Sequence, residues 1–218
     1  MDNAAIAAGG MQFIRPEDGA VDKRSSHKNL VYWADTGNNV DEANVPIPAS
    51  TFNGQKWEHG RMYKMTFTDK NDFTKAKLEI IMDGDDPAAP GYNFLSNPDN
   101  IDTSKKSLMI QEDRIGPTRI GTSNSAFAPL DVTKNAKIIQ YDLATGSFKA
   151  VAYLNQLYHT GTTQGDWESS GITDASDFYG QGSWLLDVQA HSLERLTIRG
   201  SPVNGPDGQL LLMNINGS

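Results

Sequence analysis

The chain has 218 residues, 38% of them hydrophobic, enough for one large domain or two small ones with a packed core. Its formal charge of -8 argues against general attraction to nucleic acid or anionic membrane and favours cations as ligands. The absence of cysteine excludes disulfides, cysteine–zinc sites, iron–sulfur clusters and thiol nucleophiles.

Residues 1–12 read as a flexible N-terminal segment, with no basic stretch followed by an apolar core of the kind an export signal carries. No apolar run approaches the roughly 20 residues that span a bilayer. From Phe13 onward the sequence reads as one all-β domain, residues 13–218, built of short segments with two-residue alternation between Gly, Pro, Asn and Asp. A first unit opens on Pro16-Glu17-Asp18-Gly19, continues in a strand from Leu30 to Asp35, and then in strands centred on Tyr63 and running from Lys77 to Asp83. A second opens on Asn97-Pro98-Asp99-Asn100, with strands from Ser107 to Asp113, around Ile139, and from Phe148 to Tyr153 after an Ala144-Thr145-Gly146 turn. A third opens on Trp167-Glu168-Ser169-Ser170-Gly171, with strands from Trp184 to Asp187 and around Leu211. One helical turn is expected near Asp174 to Phe178.

The near-constant spacing from the acidic end of one strand to the centre of the next is a weak internal repeat. Three such units predict β-propeller blades, with equivalent positions turned toward a common channel. Propellers typically have about four to eight blades, so three form an open arc: a fragment, a half that pairs with a second copy, or an arc covered by a partner. An open arc exposes apolar flanks and sheet edges, and self-association or a protein partner is expected. A β-sandwich is the alternative topology. The segments Thr36 to Gly60 and Arg114 to Asn135 both fall between first and second strands of these units and are expected to project from one rim as a lid or docking surface.

Several motifs, Phe13-Ile14-Arg15-Pro16-Glu17-Asp18-Gly19-Ala20, Asn97-Pro98-Asp99-Asn100, Leu108-Met109-Ile110-Gln111-Glu112-Asp113, Trp167 to Ile172, and Trp184 to His191, resemble the blade-start and inner-strand motifs of PhoX-like proteins. The likeness runs from about Phe13 to Met213 and corresponds to the later part of a family member. It implies a propeller whose channel mouth gathers carboxylates around calcium, with iron in some enzymes, and hydrolysis of phosphate monoesters. It also implies an exported location. The implied metal ligands are Glu17, Asp18, Asp99, Asn100, Glu112, Glu168 and Asp187, with His191 among the inner residues. Without cysteine, the chain lacks the thiolate that iron-containing members use.

The residues themselves leave alternatives open. Calcium takes six to eight oxygen ligands, which carboxylates and amide carbonyls from separate blades can supply if the blades converge. Pro-Glu-Asp-Gly and Asn-Pro-Asp-Asn are equally ordinary turn chemistry. Glu168 and Asp187 lie in segments read as buried strands, where a carboxylate needs a partner or a metal. Alternation turns only one of Glu112 and Asp113 inward, and Glu112 is the one favoured. Arg114 and His191 are the candidate catalytic residues. Arg15, Arg114 and Arg119 could each clamp phosphate, and His191 could be a ligand, an acid or a hydrogen-bonded loop residue. Two functions follow: a calcium-dependent phosphohydrolase or a segment of one, and a non-catalytic binding, scaffold or accessory protein that keeps the fold.

Overall fold

The computed structural model describes residues 4, 7–11, 13–37, 59–69, 71–113, 136–155, 167–190, 197–198, 201–202 and 207–215. Three antiparallel sheets hold most of the regular structure. The first holds β1 (Pro16–Val21), β2 (Leu30–Asp35), β3 (Arg61–Asp69) and β4 (Asp72–Asp83) in chain order. The second repeats that order with β5 (Pro98–Thr103), β6 (Ser107–Glu112), β7 (Lys137–Asp142) and β8 (Phe148–Tyr153). The third pairs β9 (Trp167–Asp174), β10 (Ser183–Ala190) and β13 (Asp207–Asn214), with a small hairpin of β11 (Thr197–Ile198) and β12 (Ser201–Pro202) inserted before β13. A one-turn helix, α1 (Ser176–Tyr179), joins β9 to β10, where one helical turn was expected.

The segments read as acidic blade starts are themselves strands. β1, β5 and β9 pair with β2, β6 and β10 respectively, so the first two units have four strands each. Proline explains why they escaped a strand reading: Pro16 and Pro98 occupy first-strand positions, where a missing N–H costs no interior ladder bond. Each first strand also carries a bulge. Pro16 and Gly19 oppose Asp35 and Trp33, and Pro98 and Ile101 oppose Glu112 and Ile110, with one extra residue in each first strand. In the third sheet the irregularity falls between Ser170 and Ile172, opposite Asp187 and Leu186.

Strand alternation divides the core into two layers. Tyr32, Ala34, Met62 and Met82 of the first sheet meet Leu108, Ile110 and Ile139 of the second. Met109 and Ile138, on the opposite face of the second sheet, meet Ile172, Trp184, Leu186 and Val188 of the third. β1 packs on β5, and β5 on β9, so the first strands gather along one side of the stack. The result is three propeller-like blades side by side rather than the two facing sheets of a sandwich, and they do not form a closed ring.

Polar contacts pin the blades at equivalent points. Asp18 Oδ2 accepts from the backbone N–H of Ile101, and Asn100 Oδ1 accepts from that of Gly171, at 3.0 and 2.6 Å. Asp102 Oδ2 receives the N–H of Asp174 and the Nζ of Lys23, both at 2.8 Å. Arg24, paired with Asp22, donates to the carbonyl of Leu143 in the second sheet. Among the described residues no helix is long and apolar enough to cross a membrane.

Candidate functional site

The bulges turn one edge of the stack into a polar rim. Here β1, β5 and β9 begin or kink, and the chain leaves β2 and β6 for its long excursions. Two kinds of carboxylate share the rim, distinguished by their surroundings.

One kind is buried and compensated. Glu112, fully enclosed, accepts from Lys137 Nζ at 2.6 Å and from the backbone N–H of Ser96 at 2.7 Å, while Lys137 also lies over the Phe94 ring. Burial pushes the Glu112 carboxyl upward, and the Lys137 charge opposes that shift. In the first sheet Arg61 donates to Asp83 from the position matching Lys137, at the start of the third strand. Asp35 nearby accepts from the N–H groups of Ile14 and Gly37, yet burial still holds its carboxyl up at about 6. His59 and Asp85 form a further buried pair at 2.9 Å.

The second kind is crowded rather than compensated. Asp99, in the bulge of β5, is pushed up to about 6, first by burial and then by the charges of Asp113 and Glu17, with a smaller contribution from Asp18. Arg15, held at a positive φ of 58° just before β1, is the cation among them. Its Nη2 lies 3.4 Å from Glu17 Oε1 and 3.7 Å from Asp113 Oδ2. Glu17 and Asp99 occupy equivalent places in their bulges, so repetition of one backbone irregularity brings the two carboxylates together.

Asn97 ties this rim to the blades. It sits fully buried at a φ of 50°, a left-handed conformation that asparagine tolerates better than most residues. Its side-chain amide donates to the Thr36 carbonyl, its N–H to the His59 carbonyl, and its own carbonyl accepts from Asp113. The ends of the excursion between β2 and β3 are thereby fixed beside Asp99.

The residues expected from sequence are distributed unevenly. Glu17, Asp18 and Asp99 fall in or beside the crowded group, although Asp18 also spans to Ile101. Asn100 is committed to Ser170 and Gly171. Glu112 points into its ion pair, and Asp113 rather than Glu112 stands beside Asp99, because the strand ends at Glu112 and the next residue turns toward β5. Glu168 is part-buried on β9, opposite Gln189.

Asp187 was expected to be buried and is instead exposed. The register explains this. Asp187 lies opposite the bulge, where the first two sheets have Ala34 and Gln111, and Val188 takes the place of Asp35 and Glu112. A shift of one residue turns the side chain to the other face. Arg114, Arg119 and His191 lie outside the described residues, as do residues 38–58 and 114–135 of the two expected rim loops.

Sequence reading missed the Arg61–Asp83 and His59–Asp85 pairs and the place of Asp113 beside Asp99. Arg61 and Lys137 both open the strand that follows a long excursion, a signal legible only once the strands are aligned.

A crowded carboxylate group next to one guanidinium suits a hard cation, whose charge would relieve the repulsion that raises Asp99. Among the described residues, however, no three acidic or histidine side chains are gathered closely enough to hold a metal ion. The donor chemistry fits calcium; the assembled geometry does not yet enclose one.

No family model matches the sequence, and no curated protein matches it. Among solved structures the chain is similar to Pseudomonas fluorescens PhoX in complex with vanadate, a transition state analogue, with a TM-score of 0.56 and 19% identity over 97% of this chain. The likeness covers 35% of that PhoX chain, so this chain spans about a third of its length. At that identity the similarity is one of fold, and the fold of this chain is that of a PhoX-like set of propeller blades.

Proposed function

We propose that the chain is a calcium-dependent phosphohydrolase of the PhoX type, or a segment of one, acting on phosphate monoesters at the rim formed by β1 and β5. The observation that carries this reading is the crowding of Asp99 by the charges of Asp113 and Glu17, both ion-paired with Arg15, in blades that share the PhoX fold. The neighbour's complex with vanadate, a transition state analogue, adds support. Asp99, Glu17 and Asp113 would hold the calcium. When bound, the ion supplies charge neutralisation for a phosphate group.

Arg15 then contributes what the chain itself can provide, a planar guanidinium that donates two parallel hydrogen bonds to phosphate oxygens. Arg15, which pairs here with Glu17 and Asp113, would be free to turn toward the anion if a cation took over those carboxylates. The elevated Asp99 carboxyl sets a pH condition, because calcium competes with a proton there until the pH exceeds about 6. His191 and Arg114 are retained as candidate catalytic residues on the strength of the sequence resemblance alone. A location outside the cytoplasm belongs to the same reading.

The second reading is a non-catalytic scaffold or accessory protein. It is favoured by a specific fact: Asp18, Asn100 and Glu112 already serve blade-to-blade or ion-pair contacts. Hydrolysis of p-nitrophenyl phosphate, measured after chelation and again with excess calcium, separates the two. The enzyme reading expects turnover that calcium restores in the parent and that Asp99→Asn reduces by at least tenfold. No turnover by correctly folded protein would establish the scaffold reading instead.

A further inference from the structure

Each end blade carries an outer face whose counterpart in the other blades is buried between sheets. At the third sheet, Leu210 is 76% exposed. It pairs with Asp187, just as Met62 pairs with Ala34 and Ile138 with Gln111, so these three residues occupy one position in successive blades. Met62 and Ile138 are 0% and 2% exposed because the next blade covers each. Leu212, on the same face two residues on, is 52% exposed. At the other end, the outward face of the first sheet carries Val31, Met65 and Leu78 in one cross-strand row and Trp33, Tyr63 and Ile80 in the next; Phe13 packs edge-on against Trp33 and Tyr63 and Tyr63 is buried, so Leu78 and Ile80, 36% and 47% exposed, are the open part of that face. Leu108 and Ile110 hold the Val31 and Trp33 positions in the second sheet, and both are completely buried against the first.

The polar latch between blades has a counterpart at the open end as well. Asp18 and Asn100, in the bulges of β1 and β5, each reach the next blade's first strand and accept a backbone N–H. In β9 the corresponding residue is Gly171, with a φ of 61°. A Cβ there would lie 2.7 Å from Asp187 Oδ1. Glycine therefore leaves room for a carboxylate delivered from the adjacent strand, so Asp187 stands where the first two blades place their latching side chain. Burial already nudges its carboxyl upward although no blade covers it.

We propose that the outer face of the third sheet docks on the outer face of the first sheet of a second copy, with Asp187 accepting a backbone N–H from β1 of that copy near Gly19. The contact continues the two inter-blade interfaces already inside the chain, with the same faces, the same apolar position at Leu210 and the same latch, while Leu212 adds an apolar side chain where the other blades carry Lys64 and Gln140. A second copy is the occupant because one chain carries both complementary faces. The contact is heterologous, and two copies joined by two such contacts close six blades, within the usual range of about four to eight. The proposal stands independently of the phosphatase reading, since a scaffold would associate in the same way.

The test uses three forms of the full chain: the parent, Leu210→Lys with Leu212→Lys, and Leu78→Lys with Ile80→Lys. Mass is read by sedimentation velocity at micromolar concentration, and circular dichroism verifies the fold. The parent is expected at twice the chain mass and each variant alone at the single-chain mass. An equimolar mixture of the two variants is expected to recover dimer, because one undamaged pair of faces remains between them. Asp187→Ala is expected to weaken dimerisation about fivefold to tenfold while keeping the fold. A parent that stays at the single-chain mass would overturn the proposal and assign both faces to blades outside these 218 residues. Dimer persisting in either double variant alone would also overturn it, in favour of like faces meeting.

Discussion

Glu112 and Asp99 lie on neighbouring strands of the same sheet, close to one rim, yet the fold treats their charges in opposite ways. Glu112 is sealed inside with Lys137 and the Ser96 N–H as direct partners. Asp99 is less enclosed, and its surroundings add three more carboxylates and one arginine. Both carboxyls are driven upward by burial, but the second shift in Glu112 is opposed by a cation whereas that in Asp99 is reinforced by like charges. The first is a buried ion pair between two strands of one blade, and the second is a group of like charges that shares the Arg15 guanidinium. That distinction separates structural acids from candidate ligands better than residue type does.

The comparison breaks most visibly at Lys137. Lys137→Met should destabilise the fold by about 3–5 kcal/mol at neutral pH, because Glu112 would keep a buried charge without its partner. Urea denaturation with the slope held constant measures this. A loss under about 1 kcal/mol would place Glu112 in an environment as wet as that of Asp99. Next comes Asn97→Ala, expected to cost about 2–3 kcal/mol by the same method. It strands the buried Thr36 carbonyl and puts alanine in a left-handed conformation.

Asp99→Asn should act in the opposite direction. The folded carboxyl titrates near 6 against an ordinary value of 3.8, so the folded state binds the proton more tightly than the unfolded chain between those limits. Stability therefore falls as the pH rises from about 4 to about 6, and the penalty persists above that. Removing the charge should stabilise the protein at pH 8 by about 1 kcal/mol, a figure reduced for the solvent screening of a partly exposed group. The gain should vanish at pH 3.5, and unfolding curves at the two pH values would reveal an equal effect at both if the ionised carboxylate, buried and crowded by like charges, were not its origin. The smallest effect is expected for Lys23→Ala, whose exposed bridge to Asp102 is worth less than about 1 kcal/mol and should fade further in 1 M salt.

Most of the strand plan could be read from the chain because it follows from alternation. The expected span Leu30 to Asp35 and that from Phe148 to Tyr153 coincide with β2 and β8, and the second strand of each unit falls where a repeat of spacing put it. The first strands were harder. Their Pro and Asx residues carry turn chemistry, and only pairing with a neighbour makes Pro16–Val21 or Pro98–Thr103 a strand. Within the site, Glu17 and Asp99 were legible as repeated acids. The fate of Glu112, Asp113 and Asp187 was not, because a single bulge or strand end decides which face a carboxylate occupies, and sequence spacing does not reveal bulges. Asp187 illustrates the cost: alignment by acidic strand ends put it level with Asp35, whereas the Gly171 irregularity moves it one position and to the open face.

On the function proposed above, the crowded carboxylates, and not the compensated ones, receive a divalent cation. Calcium titration by calorimetry on chelator-treated parent and Asp99→Asn protein, at pH 8, is the decisive measurement. Saturable calcium binding in the parent, lost or weakened at least tenfold in the variant while its fold is unchanged, is the predicted result. Equal binding by the two proteins, or none by either, would contradict it.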